Sequence, residues 1–202
     1  MKRLLFIVLA IGLLSAGCLK NPFATRDSEL PAGTSGTWET PATPEVVLIN
    51  LLFAYNEKNI QNFQLCLSDQ FVFSAPEDSI EAEAQGNGYL FHDWFKDVEL
   101  ATTQNIFSTF SESGRYLDLI LSSSTDYPDS LGDTLAVIYR NYILRVVESD
   151  SLGVDTTLIE GLAGFGLSQT QFNWWSIDFW QELPSTRSEL DWGDFKAEYR
   201  NR

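Results

Sequence analysis

From Arg115 to Leu183 the sequence alternates in hydrophobicity through four segments of strand length, so the chain must build a sheet. In RYLDLILSSS, Leu117, Leu119 and Leu121 alternate with other residues. TLAVIYRNYILRVVE is rich in Val, Ile and Tyr and apolar on both faces, as a central strand requires. TTLIEGLAGFGLS carries Gly161, Gly164 and Gly166, which predict a bulge, sharp curvature or a close backbone approach. FNWWSIDFWQEL closes the set; strict alternation puts Trp175, Ile177 and Phe179 on one face and Trp174, Ser176, Asp178 and Trp180 on the other. Asp129-Ser130-Leu131-Gly132 and Asp150-Ser151-Leu152-Gly153 read as hairpin connections, since Asp favours Asx-turns and Gly accepts positive φ.

Helices precede the sheet. Thr43-Pro44-Glu45 is a start signal: a capping residue, a proline tolerated at the first position and an acid at the positive helix end. Val46, Ile49, Leu52 and Phe53 then share one helical face. After a break over 56–59, IQNFQLCL forms a short second helix and DQFVFSA a short strand. Residues 75–88 read as irregular and acidic. A third helix is predicted from about Phe91, with Phe91, Trp94, Phe95, Val98, Ala101 and Thr102 as its stripe.

Helix, helix, strand, helix and then four strands, with curved antiparallel strands packed on helices, make an α+β half-barrel. In FAYNEKNIQNFQLCLSDQFVF a helix runs through Ala54-Tyr55 into a loop, a short helix and a strand. Together with the last strand around Trp175, Ile177 and Trp180, this order resembles the NTF2-like superfamily, the cystatin-like α+β roll that also houses ketosteroid isomerase. The resemblance covers residues 43–183. It implies a cone of three N-terminal helices on a curved antiparallel sheet, with 184–202 as a tail in which Trp192 and Phe195 strap onto the roll. The apolar face of the last strand is then expected to line the cone, with Trp94, Tyr139, Trp175 and Phe179 as pocket candidates. Trp174 and Trp180 would lie outside as an aromatic interface. Outer-face dimers are common among NTF2-like domains.

The N-terminus sets the compartment. Lys2 and Arg3 precede an apolar run from Leu4 to Leu14, well short of the about 20 residues that span a bilayer, and small residues follow. Ser15-Ala16-Gly17 abutting Cys18 resembles the lipobox of bacterial lipoproteins, with Ser15 where Leu is usual and Leu14 one step earlier. The resemblance implies a signal peptide over 1–17, cleavage before Cys18, and a lipid membrane held through the acylated Cys18. Residues 18–42 then read as lipidated cysteine and flexible tether. Leu19, in place of an inner-membrane Asp signal, points to the outer membrane of the cell envelope if the host has one. With Cys18 committed, Cys66 is the one thiol left, and no intramolecular disulfide forms. A net charge of −15 makes this an acidic protein and repels nucleic acid and anionic lipid.

No catalytic motif is assembled. On paper, Tyr55, Tyr139, Tyr142, Asp93 and Asp178 supply the acid and base types of an isomerase, but nothing in the sequence sets their geometry. His92 is the single histidine, and Asp93 beside it on a helix would point about 100° away. A lone histidine without available cysteines makes no zinc site, and neither Asp-rich connection has EF-hand spacing. No metal or cofactor is expected. These features point to an envelope lipoprotein acting as a non-catalytic binding or scaffolding module. Its partner would be a hydrophobic small molecule in the cone, an envelope protein or a second copy forming a homodimer. Two readings stay open: an isomerase- or dehydratase-type enzyme acting on a small hydrophobic substrate, and a pocketless component of an envelope assembly.

Overall fold

The computed structural model describes residues 36–150, 153–183 and 190–201. The signal segment, Cys18 and most of the tether lie outside the described residues. Helix α1 (Pro44–Glu57) has its proline at the first turn beside Glu45, and ends at Lys58 in the left-handed region, φ 54°. Its inward face is Val47, Leu48, Leu51, Ala54 and Tyr55 rather than the Val46, Ile49, Leu52 and Phe53 of the sequence reading, which are only half-buried. The helix is apolar nearly all round, so hydrophobic period alone does not choose its buried side. Asparagines fix its rotation. Asn50, fully buried, accepts from the Glu39 amide at 2.9 Å and donates to its carbonyl at 2.7 Å. Asn56 does the same to Leu119, at 2.7 and 3.1 Å. Each amide side chain pairs with one residue's backbone as a neighbouring strand would. Residues 37–41, at the end of the expected tether, are thereby held against the domain, and the Trp175 amide donates to the Pro41 carbonyl at 2.8 Å.

Asn59 caps α2 (Ile60–Cys66) by accepting from the Asn62 amide, and β1 (Leu67–Ser74) follows directly. A helix the sequence reading lacks comes next, α3 (Pro76–Ala84). It has little apolar periodicity, but carries the same start signal as α1: Pro76 at its first turn, followed by Glu77 and Asp78. The next long helix, α4 (Lys96–Phe110), starts after the expected Phe91, because Asp93 takes φ 51° and interrupts the chain. Its buried stripe is Glu99, Thr102, Thr103, Ile106, Phe107 and Phe110.

The sheet is built from β2 (Arg115–Ser123), the two-residue β3 (Ser130–Leu131), β4 (Leu135–Asp150), β5 (Gly153–Gln169) and β6 (Trp175–Leu183). Its order is β1-β6-β5-β4-β2, with β3 paired to β4. All pairs are antiparallel except β1 with β6. Ile138, Tyr142 and Leu144 of β4 and Ile159, Ala163 and Phe165 of β5 face the helices, where they form one core with α1, α2 and α4. The fold is α+β, the helices-on-curved-sheet arrangement of an NTF2-like cone. No described helix is long and apolar enough to cross a membrane.

One irregularity re-aims β6. Gly166 pairs with Phe179 but Leu167 pairs with Ile177, so Asp178 is an extra residue, a β-bulge. The bulge reverses the alternation beyond it. Trp175 and Ile177 point inward as expected, but then Trp180 and Glu182 do so too, and Phe179 turns out to the solvent side. Gly161 allows the neighbouring close approach: a Cβ there would sit 2.2 Å from the Tyr142 hydroxyl and 2.8 Å from Glu182 Oε1.

Helix α5 (Trp192–Tyr199) completes the fold from within 184–202, the stretch read from sequence as a tail. Trp192, Phe195, Lys196 and Tyr199, spaced as one helical stripe, are all buried.

The bulge separates two neighbours by energy. Trp180→Ala should cost about 3–5 kcal/mol, lowering Tm by roughly 2–4 °C per kcal/mol. Phe179→Ala should stay within about 1 kcal/mol. Denaturant unfolding of both variants checks this; the reverse order would restore simple alternation.

Candidate functional site

The side chains of α5 fill the space between the helices and the sheet. Asp191 caps the helix by accepting from the Asp194 amide at 3.1 Å. The Trp192 ring lies 4.4 Å from Trp180, 4.8 Å from Tyr142 and 5.1 Å from Tyr55, mostly edge-on. Its amide, one of the donors left over at a helix start, reaches the Tyr142 hydroxyl at 2.9 Å. Tyr142 in turn donates to Glu182. Gly193 is required where α5 meets α3: a Cβ would fall 1.9 Å from Asp78 Oδ2 and 2.8 Å from the Ala75 methyl.

Lys196 has no solvent exposure. Its Nζ lies 2.8 Å from Glu99 Oε1, 3.4 Å from the centre of the Trp180 ring and 4.0 Å from that of Phe73. The second oxygen of Glu99 accepts from Trp94 Nε1 at 2.8 Å. Burial pushes the lysine's pKa down, and Glu99 and Glu182 push it back up. Glu182 is raised well above the carboxylate range, chiefly by burial, with Asp191 and Asp78 adding to the effect and the Tyr142 hydrogen bond and Lys196 opposing it. Burial, then Glu182, raises Tyr142.

Beside Glu182 lies a cavity of about 10 Å³ that also touches Asp78 and Asp191. Oxygens of Asp78, Asp191 and Asp194 lie within 4.8 Å of one another. Burial first, then Asp191 and Asp194, pushes the Asp78 carboxyl up to about 8. Burial, then Asp191 and Glu81, pushes Asp194 up to about 6.

Two grooves lie at the surface. One, of about 220 Å³, runs past Leu48, Leu52 and Leu121 to the buried Arg140. That guanidinium is held by both oxygens of Asp129, at 3.0 and 2.9 Å, and by Glu45. The other, of about 410 Å³, lies between Gln64, Phe95 and Leu100.

The four pocket candidates do not share a cavity. Trp94 and Trp175 are buried in packing, while Tyr139 and Phe179 are on the outer sheet face, Tyr139 against Tyr127 at 5.3 Å. Of the two interface candidates, Trp174 is half-exposed before β6, and Trp180 is in the core for the reason the bulge gives. Tyr55 and Tyr142 both pack on Trp192. Asp93 sits at a left-handed turn and Asp178 at the bulge, away from that pair. His92 is exposed, 3.4 Å from Glu83. Burial raises the Cys66 thiol, whose Sγ bonds to the Asn62 carbonyl, so it is a packing residue. The sequence reading misses Glu99, Glu182, Lys196, Asp78 and Asp191. The available signal was Lys196 standing on the apolar stripe of Trp192, Phe195 and Tyr199.

No protein-family model matches the chain, and no curated protein matches it either. Solved structures do. A protein of Kribbella flavida superposes with a TM-score of 0.53 at 11% identity, over 75% of this chain and 92% of that one. A conserved protein of Planctomyces limnophilus gives 0.50 at 14% identity, over 70% and 94%. A protein of Salmonella enterica described as belonging to the nuclear transport factor 2 (NTF2-like) superfamily gives 0.46 at 15% identity, over 71% and 89%. At these identities the likeness is one of fold.

The raised carboxyls fix a pH dependence. In the folded chain Asp78 keeps its proton up to about 8, against about 4 when unfolded. The folded state therefore binds more protons between those limits, and stability falls as pH rises through them. Asp191 and Asp194 from α5, Glu182 from β6 and Glu81 on its own helix all face Asp78 and share its sign. In chelator, denaturant unfolding should show a slope of up to about 1.4 kcal/mol per pH unit, flattened in Asp78→Asn. Equal slopes would remove Asp78 as its source.

Proposed function

We propose that the protein is a membrane-anchored lipoprotein of the bacterial envelope, acting as a non-catalytic scaffold. The observation that carries this is the filled cone. Trp192 and Lys196 occupy the space between helices and sheet, and the interior acids and bases engage protein groups: Glu99 with Lys196 and Trp94, Glu182 with Tyr142. A general acid or base must reach a substrate atom to act, and these groups reach one another. Support for the anchor comes from the lipobox-like Ser15-Ala16-Gly17-Cys18, and Leu19 favours the outer membrane. A protein partner, an envelope component or a second copy, is then met on the outside. There Tyr116, Ile120, Val137, Leu158 and Phe179 keep the outer sheet face partly apolar.

The isomerase- or dehydratase-type reading has one observation in its favour. Asp78 and Glu182 are buried carboxyls raised in pKa, the kind of group that serves as a general acid. The cavity beside them, about 10 Å³, takes one water and no substrate.

Native mass spectrometry of residues 19–202 tests the scaffold reading: the expected species retains no small molecule, and a stoichiometric ligand would transfer the weight to a pocket. Cys18→Ser should abolish incorporation of labelled fatty acid and release the protein from membranes; unchanged labelling would end the anchor proposal.

A further inference from the structure

Three elements bring carboxylates to one point. Asp78 comes from the first turn of α3, Asp191 and Asp194 from the start of α5, and Glu182 from the end of β6. Oxygens of the three aspartates lie within 4.8 Å of one another. That limit is about twice a calcium–oxygen bond of about 2.4 Å, so small side-chain shifts would let the three oxygens share one hard cation. By itself such a cluster says little.

The second observation is what faces it. Glu182 is 3% exposed; its Oε1 is taken by Tyr142, while its Oε2 has no hydrogen-bond partner among the described residues. Asp78 is 8% exposed; it has a side-chain hydrogen bond with Asp191, and its Oδ2 finds no further partner among the described residues. Both residues line the cavity of about 10 Å³, with Asp191 on its wall and Pro76, Glu77 and Leu183 around it. That volume admits one water-sized occupant. Two buried carboxyl groups thus border one small space, and once ionised each would be costly to leave without a positive partner. The nearest ammonium, Lys196, is on Glu99 and the aromatic rings. Among the described residues, no lysine, arginine or histidine forms an ion pair with Asp78, Asp191 or Asp194.

We propose that Asp78, Asp191 and Asp194, with Glu182 on the wall of the adjoining cavity, form a binding site for a hard divalent cation, calcium or magnesium, that pins α5 to α3 beside β6. The all-oxygen donor set suits such ions and not zinc or copper. The ion joins the two ends of the plug's attachment: the capping residue of α5 on one side, the wall of the cone on the other.

The test uses the whole mature chain in mild detergent, stripped with chelator and titrated with calcium chloride alone or magnesium chloride alone. Calorimetry at about pH 8 should show one ion per chain. Thermal unfolding should move upward with the ion. Asp78→Asn should lose both the heat and the thermal shift while the chelated protein stays folded. Asp194→Asn, at a half-buried helix start, is the second variant should the first not fold. Absence of heat with both ions, or an affinity unchanged in these variants, would each overturn the site.

Discussion

A lysine ammonium with no solvent exposure is the interaction on which this structure turns. Burying such a charge costs several kcal/mol even after relaxation, and an attractive partner offsets this only with good geometry and further contacts. Lys196 has an acidic partner, Glu99 at 2.8 Å, and further contacts with the faces of Trp180 and Phe73 at 3.4 and 4.0 Å. Those partners come from α4, β6 and β1, and Glu99 is itself held by Trp94 from the turn before α4. The lysine therefore has a tolerable environment only when all of these elements are assembled. It couples the last helix to the earliest strand of the sheet.

A helix of eight residues is marginal alone, so α5 owes its order to what it buries. Trp192 supplies apolar area and Lys196 the specific fit. The backbone of β5 and β6 makes room. Gly161 lets Tyr142 lie flat enough to bond both Glu182 and the Trp192 amide, and the bulge at Asp178 turns Trp180 toward the lysine. A sheet with regular alternation would have presented Phe179 to the interior and sent Trp180 outside. Filling the cone in this way leaves the space between α1 and the sheet packed with aromatic side chains. It also leaves the raised carboxyls of Asp78 and Glu182 facing each other across a space of one water.

The fold was legible where hydrophobic period and burial coincide. Leu117 and Leu119 alternate and point inward, and the long apolar strand from Leu135 is central. Reading failed where they part. Helix α1 is apolar almost all round, so its inward face was chosen by Asn50 and Asn56 rather than by period. Helix α3 buries little but Asp78 and has no stripe to see, although Pro76-Glu77-Asp78 marks its start. A single inserted residue at Asp178 exchanged the faces of Phe179 and Trp180, which no count of apolar residues reveals. The site itself was hidden for a different reason. Glu99, Glu182 and Lys196 look like solvated charges, and nothing local says that long-range topology will bury them together.

The plugged cone is tested most directly by hydrogen exchange of the mature chain, read at the amides of Trp192–Tyr199 against those of β5 and β6. A helix that completes the core opens only with it, so its later amides should exchange as slowly as the central strands. Exchange there at the rate of an unstructured peptide, while β5 and β6 remain protected, would contradict a cone filled by its own C-terminus.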